Sequence, residues 1–271
     1  MSHLARSVLA VAVVVAAAIV ALPGTASAAP TTVGYDVSYP QCDTSLPADR
    51  AFAVVGVNGG IATRPNPCLA TQLAWAAKSS GAVPTQPRVQ LYLNTANPGE
   101  LLTVITTWPT AGTTPYGTCD GTNSRACSWQ YGWDRAQNSV ANIFTPAAKA
   151  AGVDTSPTRY PWWLDVETGN TWQNGSAEAL ARNRAALEGM TSYLISRGAR
   201  VGLYSTSKQW AQITGTMPPG SILAGLPSWL AGATSLKDAK ANCAKPALVP
   251  SGRVTLTQYV VGNLDRDNSC V

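Results

Sequence analysis

Short runs of β-branched and apolar residues alternate along this chain with stretches in which apolar residues recur every three or four positions. The first pattern predicts strands and the second predicts amphipathic helices. Strands are predicted at residues 32–37, 51–57, 88–93, 161–166, 200–204, 227–231 and 253–259. Helices are predicted at residues 69–80, 134–151, 176–197 and 207–214. Strands that alternate with helices are typical of a parallel sheet built from βα units.

The helical pattern at residues 176–197 has the clearest ends. Ser176 can accept a hydrogen bond from a free backbone N–H at its start, and Gly198 follows its last turn as a stop signal. Seven or eight strands with intervening helices favour an α/β fold of the TIM-like (β/α) barrel type, which we expect to form a single domain over residues 29–271. The active site of such a barrel lies at the C-terminal ends of its strands.

The N-terminal segment has the pattern of a secretory signal peptide. Arg6 precedes an apolar run at residues 8–22, and the small residues Ala-Ser-Ala at 26–28 match the pattern that signal peptidase cleaves. We therefore expect residues 1–28 to be removed and the mature chain to be secreted, as an extracellular or wall-associated protein. No later run is long and apolar enough to predict a membrane span.

Cysteine and histidine usage narrows the chemistry. All six cysteines follow the signal segment, and an even number in an oxidising compartment predicts three disulfides. Sequence order favours Cys42 with Cys68, Cys119 with Cys127 and Cys243 with Cys270, one of fifteen possible pairings. Their spacing is not that of a zinc site, so we expect neither a metal nor a cofactor. The only histidine, His3, lies in the signal segment, which leaves carboxylates as the candidate catalytic groups.

Charge changes this picture little. Loss of Arg6 lowers the formal net charge from +5 to about +4, and the remaining basic residues are scattered along the chain. A scattered pattern argues against nucleic-acid binding and is compatible with weak attraction to anionic wall polymers. We expect a monomer.

Most of the fourteen acidic residues fall where caps, turns or solvated helix faces are predicted. A smaller group lies at predicted strand ends: Asp36 in VGYDVS, Asp165 and Glu167 in WWLDVET, and Asp265 with Asp267 in GNLDRDN. Because strand ends converge on one rim of a barrel, we expect these side chains to meet there.

Asp165 and Glu167 stand one residue apart, so a strand would point both toward the same side as Trp163. Two close carboxylates in a partly dry pocket do not both ionise easily, and the one with the raised pKa can act as a general acid. Glycosidic bond cleavage uses such a pair. The alternative is that both acids only close a strand and accept hydrogen bonds from loop amides.

Tryptophan is abundant, with nine residues against two phenylalanines. Indole rings at loop positions can stack on sugar faces, and Trp163, Trp172 and Trp129 are our candidates for a carbohydrate groove. The interval 94–133 is rich in Pro, Gly and Thr, which predicts an irregular segment that is functional or acts as a lid.

Five segments, in order along most of the mature chain, resemble the glycoside hydrolase family 25 lysozymes, the Chalaropsis-type N-acetylmuramidases. GYDVSYPQC resembles the first strand of that family, WWLDVE its D-x-E strand, VGLYSTSKQW its Y-T-S segment, SWLAG its W-x-A strand and TLTQYVVGNLD its terminal Q-Y segment. The resemblance implies a modified barrel of eight strands with fewer than eight helices. It also implies a muramidase-like hydrolase acting on peptidoglycan or a related N-acetylated polysaccharide.

For individual residues, the resemblance implies Glu167 as the general acid/base and Asp165 as its electrostatic partner. It places Asp36 at the end of the first strand and Asp265 at the last. The matching segments also add Tyr204 and Gln258 as candidate substrate-binding residues. No nucleophile is assigned, because an enzyme group and the N-acetyl group of the substrate are both open as the source of nucleophilic attack.

Two segments depart from the family pattern. The chain reads VVGVNGG after the second strand, where the family has a charged segment, and YLNTANPG after the third, where the family has Y-H-F. Asn58 and Asn94 occupy these positions and are further candidate substrate-binding residues. The departures keep two alternatives open: a catalytically inactive barrel that binds wall polysaccharide, and a structural wall-associated module.

Overall fold

The computed structural model describes residues 31–271, so the expected signal segment lies outside the described residues. The strands are β1 (Gly34–Val37), β2 (Ala53–Gly56), β3 (Asn58–Gly59), β4 (Arg64–Pro65), β5 (Val89–Asn94), β6 (Gly112–Thr114), β7 (Gly117–Cys119), β8 (Pro161–Asp165), β9 (Arg200–Ser205), β10 (Ser228–Ala233), β11 (Val254–Val261) and β12 (Leu264–Ser269). The α-helices are α1 (Leu69–Ala76), α2 (Arg125–Asn138), α3 (Thr145–Ala151), α4 (Ala177–Ser196), α5 (Ser207–Thr214) and α6 (Leu236–Asn242).

Eight of these strands close a barrel in the order β1-β12-β11-β10-β9-β8-β5-β2. Neighbouring strands are parallel, except that β12 runs antiparallel to both β1 and β11. The β3–β4 and β6–β7 hairpins are separate small sheets. The TIM-like α/β barrel is therefore confirmed, with six α-helices over residues 31–271 instead of the eight of a regular barrel.

The strand β12 was missing from the sequence-based assignment. Its sequence LDRDNS contains no β-branched or aromatic residue, so it carries none of the usual strand signals. Gly262, with a φ of 66°, turns the chain back after β11, and β12 then fills the gap between β11 and β1. Because it starts at the rim where the parallel strands end, β12 brings Asp265 directly opposite Asp36.

Alternation along β8 separates two apolar cores. Trp162, Leu164 and Val166 belong to the large core between the barrel and the surrounding helices. Trp163 points the other way, into a smaller core inside the barrel. The inner core consists of Ala51, Phe52, Val54, Trp163, Tyr204, Trp229 and Leu256. It fills the barrel below the rim, so that polar side chains further along the same strands form the next layer.

Two glycines make room for this inner core. A Cβ atom added to Gly34 would overlap the ring of Phe52, and one added to Gly202 would overlap the ring of Trp163. Interiors are close-packed, so such overlap could be relieved only by moving the ring or the strand. The small residues on β1 and β9 are thus required by the large aromatic residues that face them.

The helix predicted at residues 134–151 begins earlier and is interrupted. Ser124 caps α2 by accepting a hydrogen bond from the Cys127 backbone N–H at 3.2 Å. A turn of π-helix, Ser139–Phe144, then separates α2 from α3. The irregular interval therefore ends at residue 124 and not at residue 133.

Glycine also brings α2 against α4. A Cβ atom on Gly132 would overlap the backbone carbonyl of Ala186, and one on Gly189 would overlap the carbonyl of Trp129. Only hydrogen at both positions permits the two helix backbones to cross this closely. No helix among residues 31–271 is long and apolar enough to cross a bilayer.

The three predicted disulfides are confirmed as Cys42–Cys68, Cys119–Cys127 and Cys243–Cys270. The first joins the loop after β1 to the start of α1, and the second joins β7 to the first turn of α2. The third ties the residue after α6 to the residue after β12. Each bond thus fastens a loop or a terminal strand to a neighbouring element, which restricts the unfolded chain.

Candidate active site

The rim of the barrel gathers four carboxyl groups from three places in the sequence. Asp36 lies in β1, Asp165 ends β8 with Glu167 two residues further on, and Asp265 lies near the start of β12. All four line one cavity of about 100 Å³, together with Tyr92, Tyr204, Trp229 and Gln258. The structure therefore brings together four of the five acids that the sequence placed at strand ends, whereas Asp267 is fully buried and does not line the cavity.

A second cavity of about 220 Å³ adjoins the acid cavity and shares Tyr92, Asp165 and Glu167 with it. Its other walls come from the loop after β1, the strand β3, the end of β5 and the loop after β8. These walls are Ser38, Tyr39, Pro40, Asn58, Gly59, Asn94 and Asn170. The two cavities together form a groove with acids at one end and amides and an exposed tyrosine, Tyr39, at the other.

Burial dominates the electrostatics of the acids. Desolvation, reinforced by the charges of Glu167 and Asp36, raises the pKa of Asp165 well above its usual value. Desolvation and the charges of Asp265 and Glu167 likewise raise the pKa of Asp36, although a hydrogen bond from Gln258 opposes the rise. The cluster therefore favours holding protons that isolated carboxyl groups would release.

Glu167 is more open to the groove than its neighbours. It is half-buried, whereas Asp36 and Asp165 are at most 9% exposed. Burial, followed by the charge of Asp265, raises the pKa of Glu167, and burial also raises the pKa of Asp265. Glu167 thus combines a raised pKa with access to a ligand, the two properties that a general acid needs.

The backbone that carries the acid pair is held by side chains. Trp172 Nε1 donates to the Glu167 carbonyl at 2.9 Å, and Thr95 Oγ1 donates to the Asp165 carbonyl at 2.5 Å. Ser205 Oγ donates to the Val166 carbonyl between them at 2.6 Å. These bonds fix the chain after β8, so the two carboxyl groups are positioned by a rigid segment.

Gln258 connects the acid cluster to a tyrosine. Its Nε2 donates to Asp36 Oδ2 at 3.1 Å, while its Oε1 accepts from the Tyr204 hydroxyl at 2.8 Å. This hydrogen bond favours the ionised form of Asp36 and therefore opposes the rise in its pKa. Gln258 and Tyr204, both candidates from the sequence, therefore lie in the wall of the acid cavity.

Asn58 and Asn94 line the outer cavity, but their polar atoms are largely engaged within the protein. Asn58 Nδ2 donates to Ser139 Oγ at 2.9 Å, and its Oδ1 accepts from the Asn94 backbone N–H at 2.8 Å. Asn94 Nδ2 donates to the Gly60 carbonyl at 2.7 Å. The Asn94 Oδ1 atom is buried and has no hydrogen-bond partner within residues 31–271. Both residues shape the groove, and Asn94 retains a free acceptor.

The three tryptophans that we expected in the groove lie outside it. Trp163 is 4% exposed in the inner core, because it sits one inward-facing position deeper than Asp165 and bonds to Gln90 Oε1 at 2.9 Å. Trp172 donates a hydrogen bond to the backbone carbonyl of Glu167 and lines a different cavity. Trp129 lies on α2 and lines a separate cavity outside the barrel, since α2 begins before the predicted position.

Three aromatic residues of the site were missed by sequence reasoning. Tyr92 and Trp229 line the acid cavity, and Tyr39 lines the outer one. Tyr92 shares the alternation of Gln90 and Asn94 on β5, a period-2 signal that would have placed it inside the barrel.

Over residues 31–271, no group of three or more histidine, cysteine, aspartate or glutamate side chains is arranged to hold a metal ion.

The closed α/β barrel gathers these acids at its C-terminal rim, where the active sites of barrel enzymes lie. Comparison with solved structures specifies the fold further. The chain superposes on the muramidase from Trichobolus zukalii with a TM-score of 0.51 and 16% identity, covering 88% of this chain and 93% of that one. It superposes on a family GH25 lysozyme from Aspergillus fumigatus with a TM-score of 0.50 and 15% identity, covering 88% and 94%.

A bacterial lysozyme from Streptomyces coelicolor also matches, with a TM-score of 0.48, 16% identity, and coverage of 90% of this chain and 93% of that one. No protein-family profile matches the sequence, and no curated protein does. The chain therefore has a GH25 lysozyme-like fold, established by structure at low sequence identity.

Proposed function

We propose that this chain is a secreted glycoside hydrolase that cleaves a cell-wall or related N-acetylated polysaccharide in the manner of a muramidase. The observation that carries the proposal is the gathering of Asp36, Asp165, Glu167 and Asp265 around one rim cavity. Of the solved structures with this fold, one is a muramidase and another is a family GH25 lysozyme, which supports the same substrate class. The disulfides support secretion.

Glu167 is assigned as the general acid. Its raised pKa keeps it protonated to a higher pH than a free glutamate, and it donates that proton to the glycosidic oxygen as the bond to the anomeric carbon breaks. Water then supplies the hydroxyl group to the anomeric carbon, and its remaining proton passes to the Glu167 carboxylate. Asp165, Asp36 and Asp265 line the same cavity, and those of them that are ionised place negative charge beside the positive anomeric centre.

The groove offers contacts for a sugar ring beside the acids. Tyr39 is 58% exposed in the outer cavity, and Tyr92 lines both cavities. An exposed aromatic ring packs against the apolar face of a sugar, while Asn170 offers an amide group for a hydroxyl or N-acetyl group.

The second candidate function is an inactive barrel that binds wall polysaccharide. It is favoured by Asn58, whose amide is committed to Ser139 and the Asn94 backbone instead of facing a ligand. The altered segments around Asn58 and Asn94 would then shape a groove that recognises a glycan without cleaving it.

Release of reducing ends from purified peptidoglycan separates the two functions. The mature protein and its Glu167→Gln variant are compared from acidic to neutral pH. The matched control is Glu100→Gln, which makes the same change at an exposed position on the loop after β5. Hydrolysis predicts turnover by the wild type and the control, with loss of about two or more orders of magnitude in Glu167→Gln. Binding without turnover in all three proteins, on peptidoglycan and on chitin, supports the inactive barrel.

A further inference from the structure

A cavity of about 490 Å³ lies on the outside of the barrel, between the facing surfaces of α2 and α4. The turn between β6 and β7 and the loop at residues 218–222 close its ends. Its volume is nearly five times that of the acid cavity and falls within the range of small-molecule sites. It shares no lining residue with the acid groove, so it is a separate feature of the fold.

One side of this outer cavity is aromatic and apolar. Trp129 is half-buried there and stacks on Trp133, with ring centroids 5.3 Å apart and planes 21° from parallel. Tyr116 is 41% exposed at the tip of the β6–β7 turn, and Pro218 and Pro219 face the cavity from the opposite loop. A ring held by stacking and partly open to solvent is a preformed surface for a flat apolar face, such as that of a sugar.

The other side carries guanidinium groups with unused donors. Arg184 donates to the Thr214 carbonyl, and Arg125 donates two hydrogen bonds to Glu178. Each guanidinium has five N–H groups, so these bonds leave four donors on Arg184 and three on Arg125 for a ligand. The Arg125–Glu178 pair is about half exposed, which makes it weak and easily rearranged.

The one carboxyl group in the cavity wall, Glu188, is already satisfied by neutral donors. It is 6% exposed and accepts from the Tyr116 hydroxyl and from Ser221 Oγ, the latter at 2.6 Å. Glu188 therefore acts as an anchor that holds the β6–β7 turn and the 218–222 loop in place. The arginines supply the hydrogen-bond donors that remain for recognition.

We propose that this outer cavity binds an acidic saccharide, with a sugar ring against Trp129 and its carboxylate or phosphate group held by Arg184 and Arg125. Planar guanidinium groups bind such anions through paired hydrogen bonds. The acid groove cannot take this role, because four carboxyl groups line it and none of its lining residues is Lys or Arg. The fold thus separates an anionic groove at the rim from a cationic, aromatic cavity on the side.

The proposal does not depend on hydrolysis, and its test measures binding alone. Calorimetric titration at low salt compares two probes of equal length, the hyaluronan tetrasaccharide and chitotetraose. Both contain N-acetylglucosamine, but only hyaluronan carries carboxylates. We expect hyaluronan to bind more tightly than chitotetraose, and its affinity to fall as salt screens the charges. The Glu167→Gln variant should bind hyaluronan as the wild type does, which keeps this outcome separate from that of the rim site.

Three variants locate the binding. Arg184→Gln and Trp129→Ala should each weaken hyaluronan binding about tenfold. Trp129 stacks on Trp133, so its replacement also changes the packing of α2. Arg125→Gln is therefore included, because it changes a half-exposed side chain of the same cavity and keeps the fold. Arg197→Gln removes the same charge from an exposed position just beyond α4 and serves as the control. Equal affinity for both probes, no binding at millimolar concentration, or equal losses in the Arg197 and Arg184 variants would overturn the proposal.

Discussion

Asp267 provides a quantitative test of the electrostatics inside the barrel. Its side chain is fully buried, and neither carboxyl oxygen has a hydrogen-bond partner within residues 31–271. It lies in β12, two residues from Asp265 and opposite Gly34 of β1. Burial, followed by the charges of Asp36 and Asp265, raises the pKa of Asp267 well above its usual value.

The free energy of unfolding depends on pH because folded Asp267 binds its proton more tightly than an unfolded aspartate does. An unfolded aspartate releases its proton at about pH 3.9, whereas folded Asp267 keeps its proton to a higher pH. Between these two values the folded chain binds more protons, so its stability falls as pH rises. The slope for one such group is about 1.4 kcal/mol per pH unit, and the contribution is fully present only below the unfolded pKa.

Asp267→Asn replaces the carboxyl group with an amide of the same shape that does not titrate. We expect its free energy of unfolding, relative to wild type, to increase by up to about 1.4 kcal/mol for each pH unit above about pH 4, until the folded pKa is passed. Urea denaturation from about pH 4 to about pH 7 measures this difference. The control, Asp43→Asn, removes an exposed carboxylate and should give a nearly constant difference. A constant difference for Asp267→Asn as well would refute the assignment of a retained proton.

Three further changes test other parts of the structure. Gly189→Ala should cost about 1–3 kcal/mol in urea denaturation, because its Cβ overlaps the Trp129 carbonyl, whereas Gly169→Ala, with open space around it, should cost far less. Tyr116→Phe should cost about 1–3 kcal/mol by leaving Glu188 short of a donor, and Tyr39→Phe on an exposed tyrosine should be near neutral. Gln258→Leu removes the hydrogen bond that lowers the pKa of Asp36. The acidic limb of the pH–rate profile should therefore move to higher pH. An unmoved limb would show that ionised Asp36 is not required.

The barrel was accessible from the sequence because its parallel strands carry buried apolar residues on the outer face. Val55, Leu91 and Leu164 illustrate this pattern, and each lies in the large core. The strand β12 was not predicted because its inward positions are Asp265 and Asp267. These polar site residues stand where a buried strand usually has apolar residues. The polar residues of the site therefore left β12, the eighth strand of the barrel, without the sequence pattern from which a strand is predicted.

The start of α2 escaped for a packing reason. Gly132 lies near the middle of α2, just before the predicted start at residue 134, and is unfavourable in a helix but required where α2 crosses α4. The acid cluster, in contrast, could be anticipated, because strand ends of a barrel converge whatever their sequence separation. The depth of each indole ring in the barrel could not be predicted. Trp163 faces inward like Asp165, but it fills the layer beneath that residue. Periodicity gives the face of a strand, while the depth along the barrel depends on the closed structure.

The central claim, hydrolysis of a wall glycan at the rim site, is tested most directly by identifying the sugar at each newly formed reducing end. Purified peptidoglycan is digested with the mature protein, reduced with borodeuteride and analysed by mass spectrometry, with Glu167→Gln treated in parallel. The account predicts deuterium on the reduced form of N-acetylmuramic acid in the wild-type digest and none above background with Glu167→Gln. Deuterium absent from both digests, or equally present in both, would contradict it.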